Sequence, residues 1–287
     1  NKRGYEYVMW NTDDPSPQMD NFKSLYKSIP FFITLRDDAV FGLFYDNSYR
    51  SCFDMGKESD DYYWYGAADG NLDYYLIAGD SMAEVVSGYT YLTGTAPLPQ
   101  KWTLGYQQCR WSYMSEAEVR DVAGNMRRCG IPCDVIHLDI DYMDRYKVFT
   151  WTPDQERYPN PEKLISDLSE DGIKIVTIID PGVKVEEGYS VYDEGVENDY
   201  FAKTPEGDIY VNEVWPGDAV YPDFGKEEVR GWWGRNQQFL IDKGVRGVWN
   251  DMNEPASFRG QLPSDVVFTD EDEVSDHARM HHLYGHN

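Results

Sequence analysis

The apolar residues of this chain change period near Trp102, and that change limits the folds open to it. Up to about Asp80 they alternate with period two, in short runs at residues 4–10, 29–35, 40–45, 62–65 and 72–77. Alternation of this kind marks strands with one buried face. Pro15, Pro17, Asp46-Asn47 and Gly70-Asn71 separate the runs as turns. The first part therefore reads as a portion of an antiparallel β-sandwich. Residues 81–92 read as a helix with Ser81 as its N-cap. Pro97-Leu98-Pro99 breaks the pattern, which places the domain boundary between residues 1–96 and 97–287.

Beyond Trp102 strands and helices alternate. A strand is expected at 104–111. Ser115 then opens a helix, with Glu118 at capping-box spacing and Val119, Val122, Ala123 and Met126 along one stripe. Gly130 stops it. Residues 135–140 form the next expected strand, 161–168 a helix, and 173–179 a nearly all-apolar, buried-type strand. An irregular stretch of about 45 residues follows, long enough to be a functional excursion. Residues 226–243 read as one helix, Val248 lies in a fourth strand, 265–276 read as an acidic loop, and 277–287 read as a helix. Strand, helix, strand, helix implies a parallel sheet with right-handed crossovers. Four such strands are half of an eight-stranded (β/α)8 TIM barrel. The expected fold is α/β: the first half of such a barrel, preceded by part of a sandwich.

Charge narrows the partners. Fifty-one acidic residues against 26 basic leave a net charge of −25, which disfavours nucleic acid and anionic membranes. The sequence holds no apolar run of membrane-spanning length. It starts at Asn1-Lys2-Arg3-Gly4, with neither an initiator Met nor a signal-like segment, and it has no N-x-S/T acceptor. These features fit a cytoplasmic protein, although a chain that starts without Met can have lost its true start. Of the four cysteines, Cys129 and Cys133 are spaced without a matching second pair, so reduced thiols are expected rather than a zinc site. His277/His281 and His282/His286 each have i, i+4 spacing. They lack the glutamate of a metalloprotease helix and read as a solvated or interdomain helix face.

The chemistry-bearing residues gather at one predicted rim. Asp139, Asp180 and Asp251 each end a strand, and the C-terminal ends of barrel strands are where catalytic groups collect. One such Asp would be unremarkable as a helix cap; three favour an active site. A metal site from Asp139, Asp141 and Asp144 is the weaker alternative, because the glycine-loop spacing is missing.

Trp249-Asn250-Asp251-Met252-Asn253-Glu254 resembles the W-x-D-M-N-E motif of glycoside hydrolase family 31. Asp139-Ile140-Asp141-Tyr142-Met143 is similar to the family's D-I-D-Y-M element, and Trp215-Pro216-Gly217 to its W-P-G element. The resemblance implies that Asp251 is the nucleophile of a retaining α-glucosidase, with Glu254 in support. It implies that Asp139 binds sugar hydroxyls in the −1 subsite beside Ile140 and Asp180. Trp215, Trp249 and Met252 would wall that sugar. Trp111 would stand near the +1 subsite, where Trp in place of Tyr points to α-1,6 linkages. Asp13, in Asn11-Thr12-Asp13-Asp14-Pro15, would reach the +1 sugar from a sandwich loop.

The family's acid/base Asp has no match in these residues, so the chain is read as partial. The rest of the barrel would come from a missing segment or a second chain. No cofactor is implied. The implied partner is a small oligosaccharide, and self-association into a homo-oligomer stays compatible. Alternatives are an α-xylosidase, α-galactosidase or α-glucan lyase, or a sugar-binding fragment without catalysis.

Overall fold

The computed structural model describes residues 2–12, 24–37, 39–271 and 273–287. The chain divides into two compact units, residues 1–98 with 277–286, and residues 99–276 with 287.

The first unit has two three-stranded antiparallel sheets. One joins β1 (Glu6–Met9), β4 (Ser51–Asp54) and β5 (Trp64–Ala67); the other joins β2 (Phe31–Arg36), β3 (Ala39–Tyr45) and β6 (Tyr74–Gly79). Alternation along β3 turns Leu43 and Tyr45 inward to meet Phe53 of β4, with Tyr7, Met9, Phe32, Phe41 and Tyr65 packed around them. Each large side chain buried in this way contributes about 1.5–3 kcal/mol. The opposite face of the second sheet carries α1 (Met82–Thr93). Ser81 accepts from the Glu84 N–H, while Glu84 Oε2 accepts from the Asp80 N–H. Gly42 lets the helix approach closely, since a Cβ there would lie 2.7 Å from both Phe31 and Val85. Strand β4 has no counterpart among the expected runs. It is short and ends in Asp54, a buried carboxylate that accepts the N–H groups of Gly56, Lys57 and Glu58.

The second unit is built on four parallel strands: β7 (Gln107–Gln108), β8 (Val135–Leu138), β9 (Lys174–Ile179) and β13 (Gly247–Asn250). Their order across the sheet, β13-β9-β8-β7, is their order along the chain. This winding is that of the first half of a TIM barrel. Helix α2 (Glu116–Arg128) follows β7 and α3 (Pro161–Glu170) follows β8, each capped by the side chain of Ser115 or Asn160. The strand expected over 104–111 shrinks to two residues: Leu104 belongs to a 3-10 turn over Lys101–Leu104, and Gln107 and Gln108 pair with Val135 and Ile136.

The stretch after β9 is more regular than its composition suggests. Strands β10 (Val183–Lys184), β11 (Val211–Val214) and β12 (Gly217–Val220) pair as a separate antiparallel sheet, with helix α4 (Ser190–Glu197) between the first two. The helix expected over 226–243 divides at Gln237 into α5 (Glu227–Asn236) and α6 (Gln238–Asp242). The acidic stretch at 265–276 is not a loop but a hairpin of β14 (Val267–Asp270) and β15 (Glu273–Asp276). Asp223 fastens it by accepting from Thr269 N and Oγ1 at 3.1 and 2.8 Å.

The last helix, α7 (His277–Tyr284), groups by its contacts with the first unit. Of its histidines, His277 and His281 are buried rather than solvated. No helix among the described residues is long and apolar enough to cross a membrane.

Candidate active site

Register decides which carboxylates meet. Trp249 pairs with Ile178, and Asn250 with Ile179, along the parallel ladder of β13 and β9. One residue further, the Asp251 N–H donates to the Ile179 carbonyl at 3.3 Å. Side chains alternate along a strand, so Asp251 and Asp180 follow Trp249 and Ile178 onto one face at one level. That face is the barrel interior. The indole of Trp249 meets the His137 ring of β8 across β9, centroids 6.0 Å apart. His137 Nε2 in turn hydrogen-bonds Gln107 Oε1 of β7 at 2.9 Å. Asp139 lies two residues after His137, at the same rim.

Electrostatics report the same grouping. The Asp180 carboxyl is pushed up to about 8, first by burial, then by the charges of Asp251, Asp139 and Glu254. Asp139 is also raised, by burial and then by Asp141 and Asp251, although the Ile140 N–H donates to its Oδ1 at 2.8 Å and opposes the rise. The Cys109 thiol, at the end of β7, is raised by burial, Asp139 and Asp251. Cys109 and His137 had no assigned role in the sequence reading. The signal available was position: Cys109 just after β7 and two residues before Trp111, and His137 in β8 two residues before Asp139.

The nucleophile candidate sits on a constrained turn. Met252 is buried and adopts φ 58°, a left-handed conformation that costs a non-glycine residue about 1–3 kcal/mol. Met252 packs with Ala256 against Val214 and Ala219 of the antiparallel sheet. Tyr221 Oη donates to the Ala256 carbonyl at 2.9 Å, and Arg259 bridges Glu213 and Asp218. The excursion thus braces the segment that carries Asp251. It also presents Trp215, whose ring lies 6.0 Å from Trp111 and 5.1 Å from Phe258. Both tryptophans are solvent-exposed, which suits stacking against a ligand.

Four assigned residues are buried rather than set in an open pocket wall: Ile140, Asp180, Met252 and Glu254. Ile140 is buried and offers little side-chain surface, and Glu254 is buried beside the acidic group. Asp13 lies outside the described residues. Asp144 is held by Lys147 at 2.7 Å and by Arg145, so it is engaged away from Asp139. No cluster of three or more metal-ligating side chains occurs among the described residues.

Residues 96–287 match the glycosyl hydrolases family 31 TIM-barrel domain, and residues 1–54 match the family's N-terminal galactose mutarotase-like domain. This chain belongs to glycoside hydrolase family 31. "Alpha-glucosidase 2" of Bacillus thermoamyloliquefaciens is 46% identical over 286 residues, 99% of this family 31 chain and 36% of that protein. An "Alpha-glucosidase" of Saccharolobus solfataricus is 37% identical, over 88% of this chain and 36% of its own length. A crystal structure of the glucosidase II alpha subunit bound to Tris matches with a TM-score of 0.89 at 34% identity, covering 98% of this chain and 32% of that one. The Flavobacterium johnsoniae family 31 dextranase complexed with isomaltotriose matches with a TM-score of 0.88 at 34% identity, covering 100% and 34%. The family 31 chain spans about a third of the length of these relatives.

Proposed function

We propose that this chain is part of a retaining α-glucosidase that releases terminal α-linked glucose from oligosaccharides, with Asp251 as nucleophile. The observation that supports this most is the position of Asp251 at the C-terminal end of the fourth parallel strand, level with Asp180 and near Asp139. In the first step an Asp251 carboxylate oxygen bonds to the anomeric carbon as the glycosidic bond breaks, and an acid/base group protonates the departing oxygen. In the second, that group takes a proton from water, and the water oxygen displaces Asp251 from the sugar. The acid/base would come from residues outside these 287. Asp139 accepts sugar hydroxyl protons and orients the ring. Trp215, Trp249 and Met252 wall the sugar, Asp180 lines the same subsite, and Glu254 supports the acidic group. No cofactor takes part in this chemistry.

The test is Asp251→Asn in the full-length protein, assayed on an aryl α-glucoside. Turnover should fall by about a thousandfold or more. Unchanged turnover would remove Asp251 from this role.

A preference for α-1,6 linkages is the finer reading. It is supported by the exposed Trp111–Trp215 pair and by 34% identity to a dextranase crystallised with isomaltotriose. Comparing isomaltose with maltose tests it, and a clear maltose preference would sink it. We place the protein in the cytoplasm, where its cysteines persist as thiols; cell fractionation checks this.

A further inference from the structure

A cavity of about 520 Å³ lies between the loop after β8 and the antiparallel excursion after β9. Its walls follow the two inner strands of the four, not the edge strands β7 and β13. Asp139, Asp180 and Asp251 do not line it, so it is a separate space from the one around the nucleophile. Two of its residues tie it to that site: Asp141, two positions after Asp139, and Trp215, which also pairs with Trp111. The lining carries both signs. Asp141, Asp144 and Asp154 are matched by Arg145, Arg157 and Lys184, a neutral sum on a chain of net charge −25. Such a lining offers donors and acceptors together and favours neither an anion nor a cation. A neutral, hydroxyl-rich ligand needs that mixture, and Trp215 and Tyr146 add ring faces for its apolar side. The volume is that of a small-molecule site.

The loop that makes one wall is held in an unfavourable shape. Arg145, Tyr146 and Phe149 have φ of 50°, 60° and 58°, left-handed conformations that residues with a Cβ avoid and that gather at ligand-holding segments. Lys147 fastens this loop, with Nζ 2.7 Å from Asp144 and 3.1 Å from Glu186, which follows β10. The Asp144 N–H donates to Thr150 Oγ1 at 3.0 Å. The Tyr146 hydroxyl donates to Asp141 Oδ1 at 3.3 Å, and Arg157 Nη2 donates to the Asp141 carbonyl at 2.7 Å. These bonds set the polar groups in place before a ligand arrives, which lowers the ordering cost of binding.

We propose that this cavity takes one glucosyl unit of a longer α-glucan, the second unit on the leaving-group side of the bond that is cleaved. Tyr146 and Trp215 flank the ring, and Asp141 and Arg145 bond its hydroxyls. This rests on the α-glucosidase reading and makes oligosaccharides longer than a disaccharide the better substrates.

Steady-state kinetics of the full-length enzyme on maltose against maltotriose, and on isomaltose against isomaltotriose, test this. In the series that is hydrolysed faster, the trisaccharide kcat/KM should exceed the disaccharide value by about fivefold, the scale of one stacked ring. Tyr146→Ala, shown to be folded by near-UV circular dichroism, should remove this gain, whatever it does to the disaccharide itself. Arg145→Gln, at an exposed position, carries the same test where Tyr146→Ala does not fold.

A wild-type enzyme that gains nothing from the third unit would overturn the proposal, as would a gain that survives in the folded variant. Either result, together with an Asp251→Asn enzyme that no longer turns over an aryl α-glucoside, leaves the α-glucosidase reading standing. A wild-type enzyme inert on every α-glucoside sinks that reading, and the subsite with it.

Discussion

The imidazole of His281 lies flat on the indole of Trp10, with ring centroids 3.7 Å apart and planes 4° apart. His281 Nε2 is 2.7 Å from the Asn11 carbonyl, which can only accept, so Nε2 carries the proton. Its Nδ1 then accepts from His277 Nε2 at 2.9 Å. His282 Nε2 accepts from the Asn11 N–H at 3.2 Å. Both backbone groups of Asn11, just past the end of β1, are thus held by imidazoles of α7. His281→Ala removes the stack and one of these bonds and should weaken the docking of α7 by about 2–3 kcal/mol. Amide exchange across residues 277–284 should then accelerate by about thirty- to a hundredfold.

The same contact makes this unit sensitive to acid. Burial, then His277, lowers His282 to about 4, and burial lowers His281 to about 2. Both are ordinary histidines in the unfolded chain, so the unfolded state binds more protons below about pH 6.5. The stability from these neutral rings is fully present above that pH and declines as pH falls through the window down to about 4 for His282. The loss from His282 is on the order of 3 kcal/mol. Near-UV circular dichroism, which reports Trp10, should track it, and His282→Gln should flatten the dependence.

Gly225 is fixed by backbone rather than by a flexible neighbour. A Cβ there would run into the Thr269 carbonyl of β14, while Asp223 grips the same residue from the side. Gly225→Ala should cost about 3 kcal/mol or more, since neither main chain can yield cheaply. Urea unfolding of the full-length protein, with protease cutting between β14 and β15, would read this out.

Asp139 should matter to chemistry as well as to binding. If it orients hydroxyls beside the anomeric carbon, Asp139→Asn lowers kcat/KM on an aryl α-glucoside by about 10²–10³. A change confined to KM would mean that the contact is equal in ground and transition states.

Trp111 should discriminate linkages. Trp111→Ala removes one ring of the exposed pair with Trp215, and stacking of this kind is worth about 1 kcal/mol. The isomaltose kcat/KM should fall about fivefold more than the maltose value; equal losses would assign the ring to general packing.

Much of this protein is legible along the chain because its signals are local. Alternation in residues 40–45 puts Leu43 and Tyr45 into the sandwich core, and Ser115 and Asn160 start helices through bonds three residues away. The run Trp249 to Glu254 carries its family signature within six residues. The parallel winding follows from the strand and helix alternation.

Other features depend on partners far away in sequence, which periodicity cannot encode. Strand β4 is a strand because β1 and β5 pair with its two edges, not because its Ser, Cys and Asp favour one. The acidic hairpin β14–β15 is held by Asp223, 46 residues upstream of Thr269. The histidines of α7 read as a solvated or interdomain face; that His281 is buried follows from a carbonyl about 270 residues away, beside the N–H that His282 accepts. The three rim carboxylates were visible as strand ends. Only the fold could set their inequality, by burying Asp180 beside Asp251 while leaving Asp139 an N–H to accept. Desolvation and charge depend on distance in space, so the sequence determined which acids reach the rim and the tertiary structure decided how deeply each of them is buried.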